Sequence, residues 1–553
     1  MPIRRLDETV IRKIAAGEVV ERPSSVAKEL VENALDAGSR RIELAIEAGG
    51  VALLRVDDNG VGMGPDEMRL AIERHTTSKL VTEEDLRHVR TLGFRGEALA
   101  AICAVARVRI LSRPAGVDLG HEIRIEEGVV AEERPAPRPV GTTVEVRDLF
   151  WNVPARRGFL DSPAAEGRHL LSALRRIVLA QPEVAFAACS DGREVLDVPA
   201  APGPQARIGQ IYGTSFSARL IPVELDEPGV RLRAWFAPPE LARPTRVDQH
   251  LFLSGRAVRP GLLSVGIAQV YNRYLPRGQH AAFFLYLDVD PELVDVNVHP
   301  RKEEVRFRSD RSVMDLVRRA AVRALGGGVA IGGWSAGPPR SYAPPPRAAA
   351  ADMERPLVRE PSPVVSPRRS WRVVGQAQAS YILVEEVDGL EIVDQHAAHE
   401  RVLFEQYVHQ TALPTQEFLV PVQVEVPFDR AEALRRALPE LAQIGVHLEP
   451  FGAQAFLLRG WPAPLADRQS RLGFQEPLAA VGERLLEGEA PLVELWREVA
   501  CAAAIRAGEP LTPEEQEALI QSWKATDEPA RCPHGRPVVV RVAWDDLAHR
   551  LGR

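Results

Sequence analysis

The chain predicts a multidomain α/β protein. Its 553 residues exceed what one core normally holds. Helical-period segments alternate with short strands up to about residue 325, and again after 371. Between them, Gly326 to Ser370 is rich in Gly, Pro, Ala, Ser and Arg, with runs at Gly326-Gly327-Gly328 and Pro344-Pro345-Pro346. Such a stretch cannot build a core and reads as a flexible linker. The net charge of −7 excludes a chain that is basic throughout. The acidic excess lies after Val373, so nucleic-acid contact is expected from the N-terminal half. Four cysteines without a paired framework suit a reducing cytosol. No apolar run is long enough for a membrane, and Met1-Pro2-Ile3-Arg4-Arg5 lacks a signal-peptide core, so a cytoplasmic protein is expected.

Taken in order, the first strong element is a helix from Ser24 to Gly38. Pro23 and two serines start it and Gly38 stops it. Leu30, Val31, Ala34 and Leu35 can face a core, while Glu29, Asn33 and Asp36 form one polar stripe. A carboxylate one turn from a carboxamide suits a base beside a Mg²⁺ ligand, although a solvated face has the same pattern. Arg41 to Glu47 alternates as a strand, Gly49-Gly50 turns it, and Val51 to Val56 is its partner. That partner runs into Asp57-Asp58-Asn59-Gly60-Val61-Gly62-Met63-Gly64, whose glycines continue beyond what a plain turn needs.

Next come Arg74-His75-Thr76-Thr77-Ser78-Lys79-Leu80 and Gly93-Phe94-Arg95-Gly96-Glu97-Ala98-Leu99, the latter a glycine loop entering an apolar helix. Backbone N–H groups at such a start can cradle phosphate. No G-x-x-x-x-G-K-[ST] is present, so a nucleotide site here is not a P-loop. Gly141-Thr142-Thr143-Val144 then turns into a strand. Lysine is rare: Lys13, Lys28, Lys79, Lys302 and Lys524 are the five among 69 basic residues. Lysine kept in so arginine-rich a chain suggests sites that need a compact ammonium.

These motifs, with Ile14-Ala15-Ala16-Gly17-Glu18-Val19-Val20, resemble in order and spacing the nucleotide-binding motifs of the MutL family of DNA mismatch repair proteins. That family shares its ATPase with DNA gyrase, the Hsp90 chaperones and histidine kinases. Leu251 to Arg256 and Asp295 to Phe307 resemble its second domain, with Ser254 where the family usually has Asn. The resemblance implies a Bergerat-type α/β-sandwich ATPase over 1–205 and a ribosomal-S5-like α/β domain over 206–325. The linker over 326–370 and an α+β dimerisation and endonuclease domain over 371–553 follow, with an outer regulatory subdomain at about 425–491. It also implies Glu29 as general base, Asn33 as Mg²⁺ ligand and Asp58 as acceptor for the adenine amine. Gly60, Gly62, Lys79, Gly93, Phe94, Arg95, Gly96 and Thr143 would complete the ATP site, with Lys302 reaching the γ-phosphate. His75 to Gly93 would be the lid.

The C-terminal half opens with a strand pair turned at Asp388-Gly389. Asp394 then caps a helix carrying Gln395-His396-Ala397-Ala398-His399-Glu400. His396 and Glu400 share a helix face, as a metal pair needs, although a lone His-x-x-x-Glu is commonly a surface pair. Cys532-Pro533-His534-Gly535-Arg536-Pro537 adds a thiol and an imidazole on a tight turn. Both segments resemble the endonuclease motifs of nicking MutL proteins. The resemblance implies metal ligands at His396, Glu400, Cys532 and His534, supported at the catalytic centre by Asp394, for Zn²⁺ and/or Mn²⁺. Cys501 is either part of a third motif or a buried structural cysteine. Gln416-Glu417-Phe418-Leu419-Val420-Pro421 resembles a peptide that docks on the replicative sliding clamp through Gln416, Phe418, Leu419 and Pro421, or else is an ordinary strand entrance.

The expected protein is a homodimeric, ATP-gated clamp that links mismatch recognition by MutS to metal-dependent DNA nicking. It would be cytoplasmic and nucleoid-associated during repair. The alternative is a nuclease-inactive matchmaker, which lacks the 394–405 and 532–537 motifs. A chaperone or topoisomerase of the same ATPase class is disfavoured by Gly93 to Leu99 and by the motif set as a whole.

Overall fold

The computed structural model describes residues 20–73, 76, 96–243, 245–272, 274, 275, 279–295, 306–326, 371–408 and 415–463, with a broken series from 474 to 550. The linker after Gly326, Cys501 and nearly all of the expected lid lie outside the described residues.

The first helix, α1 (Pro23–Asp36), has Pro23 in its first turn and hands over to Gly38 at φ +74°. It buries Val26, Ala27, Leu30, Val31 and Ala34 and keeps Glu29, Asn33 and Asp36 on its half-exposed side. Strands β1 (Arg41–Glu47) and β2 (Leu53–Asp58) form the expected hairpin. At its turn Gly49 has φ +68°, and a Cβ there would lie 2.2 Å from the Pro163 carbonyl, so only glycine fits.

Helices α2 (Pro65–Ala71) and α3 (Ala98–Val105) follow, then β3 (Arg107–Arg113), β4 (Gly120–Glu126), β5 (Val129–Ala136) and β6 (Gly141–Arg147). After α4 (Pro163–Ala180) come β7 (Ala185–Ser190) and β8 (Arg193–Val198). The eight strands form one sheet in the order β5-β4-β3-β6-β2-β1-β7-β8, antiparallel except for the β1–β7 pair. Helices α1, α3 and α4 contribute to its core with Leu30, Val31, Ile102, Leu170, Leu174 and Val178.

A second module holds β9 (Ile221–Glu227), β10 (Val230–Phe236), β11 (Gln249–Leu253), β12 (Arg256–Val258) and β13 (Phe283–Val289), ordered β12-β11-β13-β10-β9. Alternation along these strands gives the sheet two apolar faces. Phe283, Leu285 and Leu287 pack with α6 (Gly261–Tyr271) and α7 (Asp310–Gly326). Phe252, Phe284 and Tyr286 join the first core, together with Ile208, Ile211 and Tyr212 of α5 (Pro204–Tyr212). Tyr286 Oη donates to the Leu179 carbonyl at 2.9 Å. Helix α5 therefore packs with the first module. Two short strands, β14 (Val294–Asp295) and β15 (Arg306–Phe307), pair beyond it.

After the linker, β16 (Trp371–Ala377), β17 (Tyr381–Glu386) and β18 (Gly389–Asp394) lead into α8 (Gln395–Val408). Strand β19 (Thr415–Glu425), helix α9 (Phe428–Arg436), β20 (His447–Pro450) and β21 (Ala455–Pro462) form a separate three-stranded α/β segment, ordered β19-β21-β20. Helix α10 (Pro513–Lys524) starts at a Thr512/Glu515 capping box and precedes β22 (Val539–Ala543), which completes the sheet β16-β17-β18-β22.

By contacts the chain divides into two units, 1–327 with 412–494, and 328–411 with 495–553. By contacts, the 412–494 segment thus groups with the N-terminal modules. The reason is visible in α9. Phe428 is fully buried in the first core, and Asp429 and Arg430 enter a buried charge cluster.

That cluster centres on Asp248. Its Oδ1 accepts from Arg430 Nη2 at 2.6 Å and from Tyr212 Oη at 2.8 Å. Its Oδ2 accepts from Arg243 Nε at 3.1 Å. Arg175 Nη1 of α4 lies 3.8 Å from Asp248 Oδ1 and 3.2 Å from Asp429 Oδ1. Burial opposes ionisation of Asp248, but Arg430, Arg243 and Arg175 outweigh it and hold the carboxyl far below the usual range.

Because the Tyr212 hydroxyl donates its hydrogen bond to Asp248, its oxygen accepts from His250 Nε2 at 2.9 Å, and His250 is neutral. Burial, then Arg175, pushes the His250 pKa from 6.5 to about 3. Between those values the unfolded chain binds one more proton than the folded chain. This contribution to stability is complete above about pH 6.5 and is lost as the pH falls toward 3. From pH 7 to pH 4 the native chain should lose about 3 kcal/mol more than His250→Phe, read from urea midpoints.

Candidate functional site

The end of β2 builds a cradle. Asp58 Oδ1 accepts from Ser39 Oγ at 3.0 Å and from the Gly60 N–H at 2.7 Å, which fixes the half-buried carboxylate. Burial raises its pKa, against the lowering effect of the bonds from Gly60 and Ser39. Asn59 Oδ1 accepts from the Arg40 and Arg41 N–H groups at 2.8 and 2.9 Å, stapling the loop to the start of β1. Arg138 reaches the Asp58 carbonyl at 3.1 Å.

The glycines here are required by close backbone approach. A Cβ on Gly60 would sit 2.7 Å from Ser39 Oγ, and one on Gly62 (φ +72°) 2.2 Å from the Arg113 carbonyl. Gly96 (φ +61°) would place a Cβ 2.3 Å from the Thr76 carbonyl, which joins the start of α3 to the edge of the expected lid. Thr143 Oγ1 donates to Asp57 Oδ1, so this hydroxyl positions the neighbouring carboxylate.

Glu29 and Asn33 lie one turn apart on α1, both half-buried. A residue missed by the sequence reading joins them. Arg256, 6% exposed, enters from β12 after a tight turn in which Ser254 and Gly255 have φ +46° and +81°. Burial lowers its pKa, while the acidic groups Glu32, Asp36 and Glu29 of α1 support its charge. The sequence signal was its place at the end of the Leu251 to Arg256 motif, which carries no site role by itself. Lys79, Gly93, Phe94, Arg95 and Lys302 lie outside the described residues.

In the second unit, Asp394 caps α8 by accepting from the Ala397 N–H at 3.1 Å. His396 Nδ1 faces the Ile505 carbonyl at 2.8 Å. A carbonyl only accepts, so Nδ1 carries the proton and Nε2 keeps its lone pair, the state a metal ligand needs. His399, unpredicted, has the opposite tautomer, since its Nδ1 accepts from the Ile505 N–H at 3.0 Å. Glu400 is 2% exposed.

The turn carrying Cys532 packs against this helix. The Asp394 N–H donates to the Val538 carbonyl at 2.9 Å, and Arg401 Nε donates to the Arg531 carbonyl at 2.7 Å. Cys532 is buried in one core with Ala397, Ala398 and Val402. Thiol, imidazole and carboxylate from these two segments are a donor set that suits Zn²⁺. Among the described residues no three such side chains gather closely enough to hold an ion, and His534 lies outside them.

The expected clamp peptide occupies the start of β19. Its pairing with β21 shifts register between Glu417 and Val422, so residues 418–421 leave the ladder. Leu419 and Val420 are fully and 77% exposed, whereas Phe418 tilts onto Phe474 at 5.0 Å. Gln416 is exposed and Pro421 half-buried. Among the described residues no helix is long and apolar enough to cross a membrane.

The cradle, its helix and the sheet behind them define the class, an ATPase domain. Residues 21–137 match the family model of the histidine kinase-, DNA gyrase B- and HSP90-like ATPase. Residues 208–326 match the C-terminal domain model of DNA mismatch repair protein, and 374–511 the MutL C-terminal dimerisation domain. DNA mismatch repair protein MutL of Desulforudis audaxviator is 39% identical over all of this chain and 99% of its own length. That of Acidiphilium cryptum is 39% identical over the full length of both. Among solved structures, the Aquifex aeolicus MutL ATPase domain complexed with ADP is 28% identical, with a TM-score of 0.40, over 55% of this chain and 98% of that one. The chain belongs to the MutL family of DNA mismatch repair proteins.

Proposed function

We propose that this protein is a homodimeric, ATP-driven mismatch-repair clamp whose C-terminal unit nicks DNA. The observation that carries the nicking reading is the packing of the His396/Glu400 helix against the Cys532 turn through Asp394–Val538 and Arg401–Arg531.

In the ATPase domain, Glu29 accepts the proton of the attacking water and orients it. Asn33 would hold Mg²⁺ at the nucleotide. Asp58 would accept from the adenine amine, and Gly60, Gly62, Gly93, Gly96, Lys79, Phe94, Arg95 and Thr143 would complete the nucleotide site. Lys302 would contact the γ-phosphate. In the C-terminal unit His396, Glu400, Cys532 and His534 would hold Zn²⁺ or Mn²⁺, with Asp394 supporting the helix start. When bound, such an ion supplies Lewis-acid polarisation of a phosphodiester. Ile505 presents His396 in the ligating tautomer.

DNA, the mismatch-recognition protein MutS and the sliding clamp are the partners, in the cytoplasm and on the nucleoid during repair. The rival reading is a nuclease-inactive matchmaker. Plasmid nicking in Mn²⁺ separates the two.

The clamp contact has its own test. Leu419 projects from the bulge and Gln416 is exposed, so neither supports the fold as Phe418 does. Gln416→Ala with Leu419→Ala should reduce clamp stimulation of nicking at least about tenfold. Unchanged stimulation returns the segment to a plain strand.

A further inference from the structure

Helix α9 makes three separate charged attachments to the N-terminal modules. Arg430 Nη2 meets Asp248 Oδ1 at 2.6 Å, just before β11 of the second module. Asp429 Oδ1 meets Arg175 Nη1 at 3.2 Å, on α4 of the ATPase domain. Glu432 Oε1 meets Arg193 Nη2 at 3.2 Å, on β8. Arg175, Asp248, Asp429 and Arg430 are at most 1% exposed. The segment also closes on Arg430 from its own side, since a Cβ on Gly482 would lie 2.9 Å from Arg430 Cβ.

The three N-terminal partners come from two different modules. Arg175 and Arg193 belong to the ATPase domain, while Asp248 belongs to the second module. Their mutual placement fixes the spacing that α9 must match. Arg175 itself bridges the modules, 3.8 Å from Asp248. A change in module placement would separate buried charges that α9 holds paired, which is strongly unfavourable. A seated α9 therefore favours one arrangement of the two modules, and a ligand that favours another must weaken α9 docking by the same factor.

We propose that the 412–494 segment is a docked restraint that reads, through α9, the relative placement of the ATPase domain and the second module. Nucleotide occupancy and the seating of this segment are then thermodynamically linked. The proposal rests on nucleotide binding at the α1 cradle.

Hydrogen exchange on the full chain tests it, with and without a non-hydrolysable ATP analogue. The analogue should protect residues 23–36 and change exchange in 428–436 and 249–253 by about 5- to 150-fold. Protection of 23–36 with no change in 428–436 overturns the linkage and leaves the nucleotide reading intact. No protection at 23–36 overturns the nucleotide reading, and the proposal with it. In a second measurement on the full chain, Asp429→Asn and Arg430→Met should each raise steady-state ATP turnover severalfold, because the restraint is released. Turnover equal to the native rate in folded variants overturns the proposal.

Discussion

Glu29→Ala is expected to abolish ATP turnover while nucleotide binding remains measurable. Glu29 lies on the half-exposed side of α1, whose opposite face is anchored by Leu30, Val31 and Ala34, so its carboxylate is not needed for the helix to pack. The cradle at Asp58, Gly60 and Gly62 is built from β2 and its loop and is untouched by the change. Loss of a general base lowers turnover by roughly a hundred- to ten-thousandfold. Phosphate release should therefore collapse while a fluorescent-nucleotide titration still saturates. Asn33→Ala, one turn along, should instead weaken Mg·ATP binding itself. Native turnover in Glu29→Ala removes Glu29 from the base role and leaves the water to be oriented by another group.

Nearly as large an effect is expected in the second unit. His396→Ala and Glu400→Ala should each eliminate nicking while ATP turnover persists, because the ATPase domain lies in the other unit. His396 spends Nδ1–H on the Ile505 carbonyl, so its removal deletes the proposed ligand together with the bond that sets its tautomer. Cys532→Ala should lower bound zinc in elemental analysis, since the thiolate is the softest ligand of the set. Full zinc content in Cys532→Ala would assign that buried cysteine to the core it shares with Ala398 and Val402.

Local signals were legible where short-range chemistry decides the structure. Pro23 and Gly38 bound α1, Gly49-Gly50 turn the first hairpin, and Asp394 caps α8. The Asp58 loop was legible because its glycines are required by backbone contact at Gly60 and Gly62. What remained unread depends on residues far apart in sequence. Arg256 reaches the acidic face of α1 from the second module, and nothing near either residue announces the other. Ile505 sets both histidine tautomers through its backbone, which a side-chain pattern cannot show. Nothing in the local sequence marks Asp429 and Arg430 for burial. Their burial follows from Asp248, Arg175 and Phe428 packing, which brings 412–494 onto the N-terminal modules.

The most direct test of a nicking MutL is the fate of supercoiled plasmid incubated with the purified full chain and Mn²⁺. Conversion to open circles by the native chain, lost in Glu400→Ala and on chelation, is the predicted result. Plasmid that stays supercoiled with the native chain, under conditions where the same preparation hydrolyses ATP, would contradict it and leave an ATP-driven matchmaker.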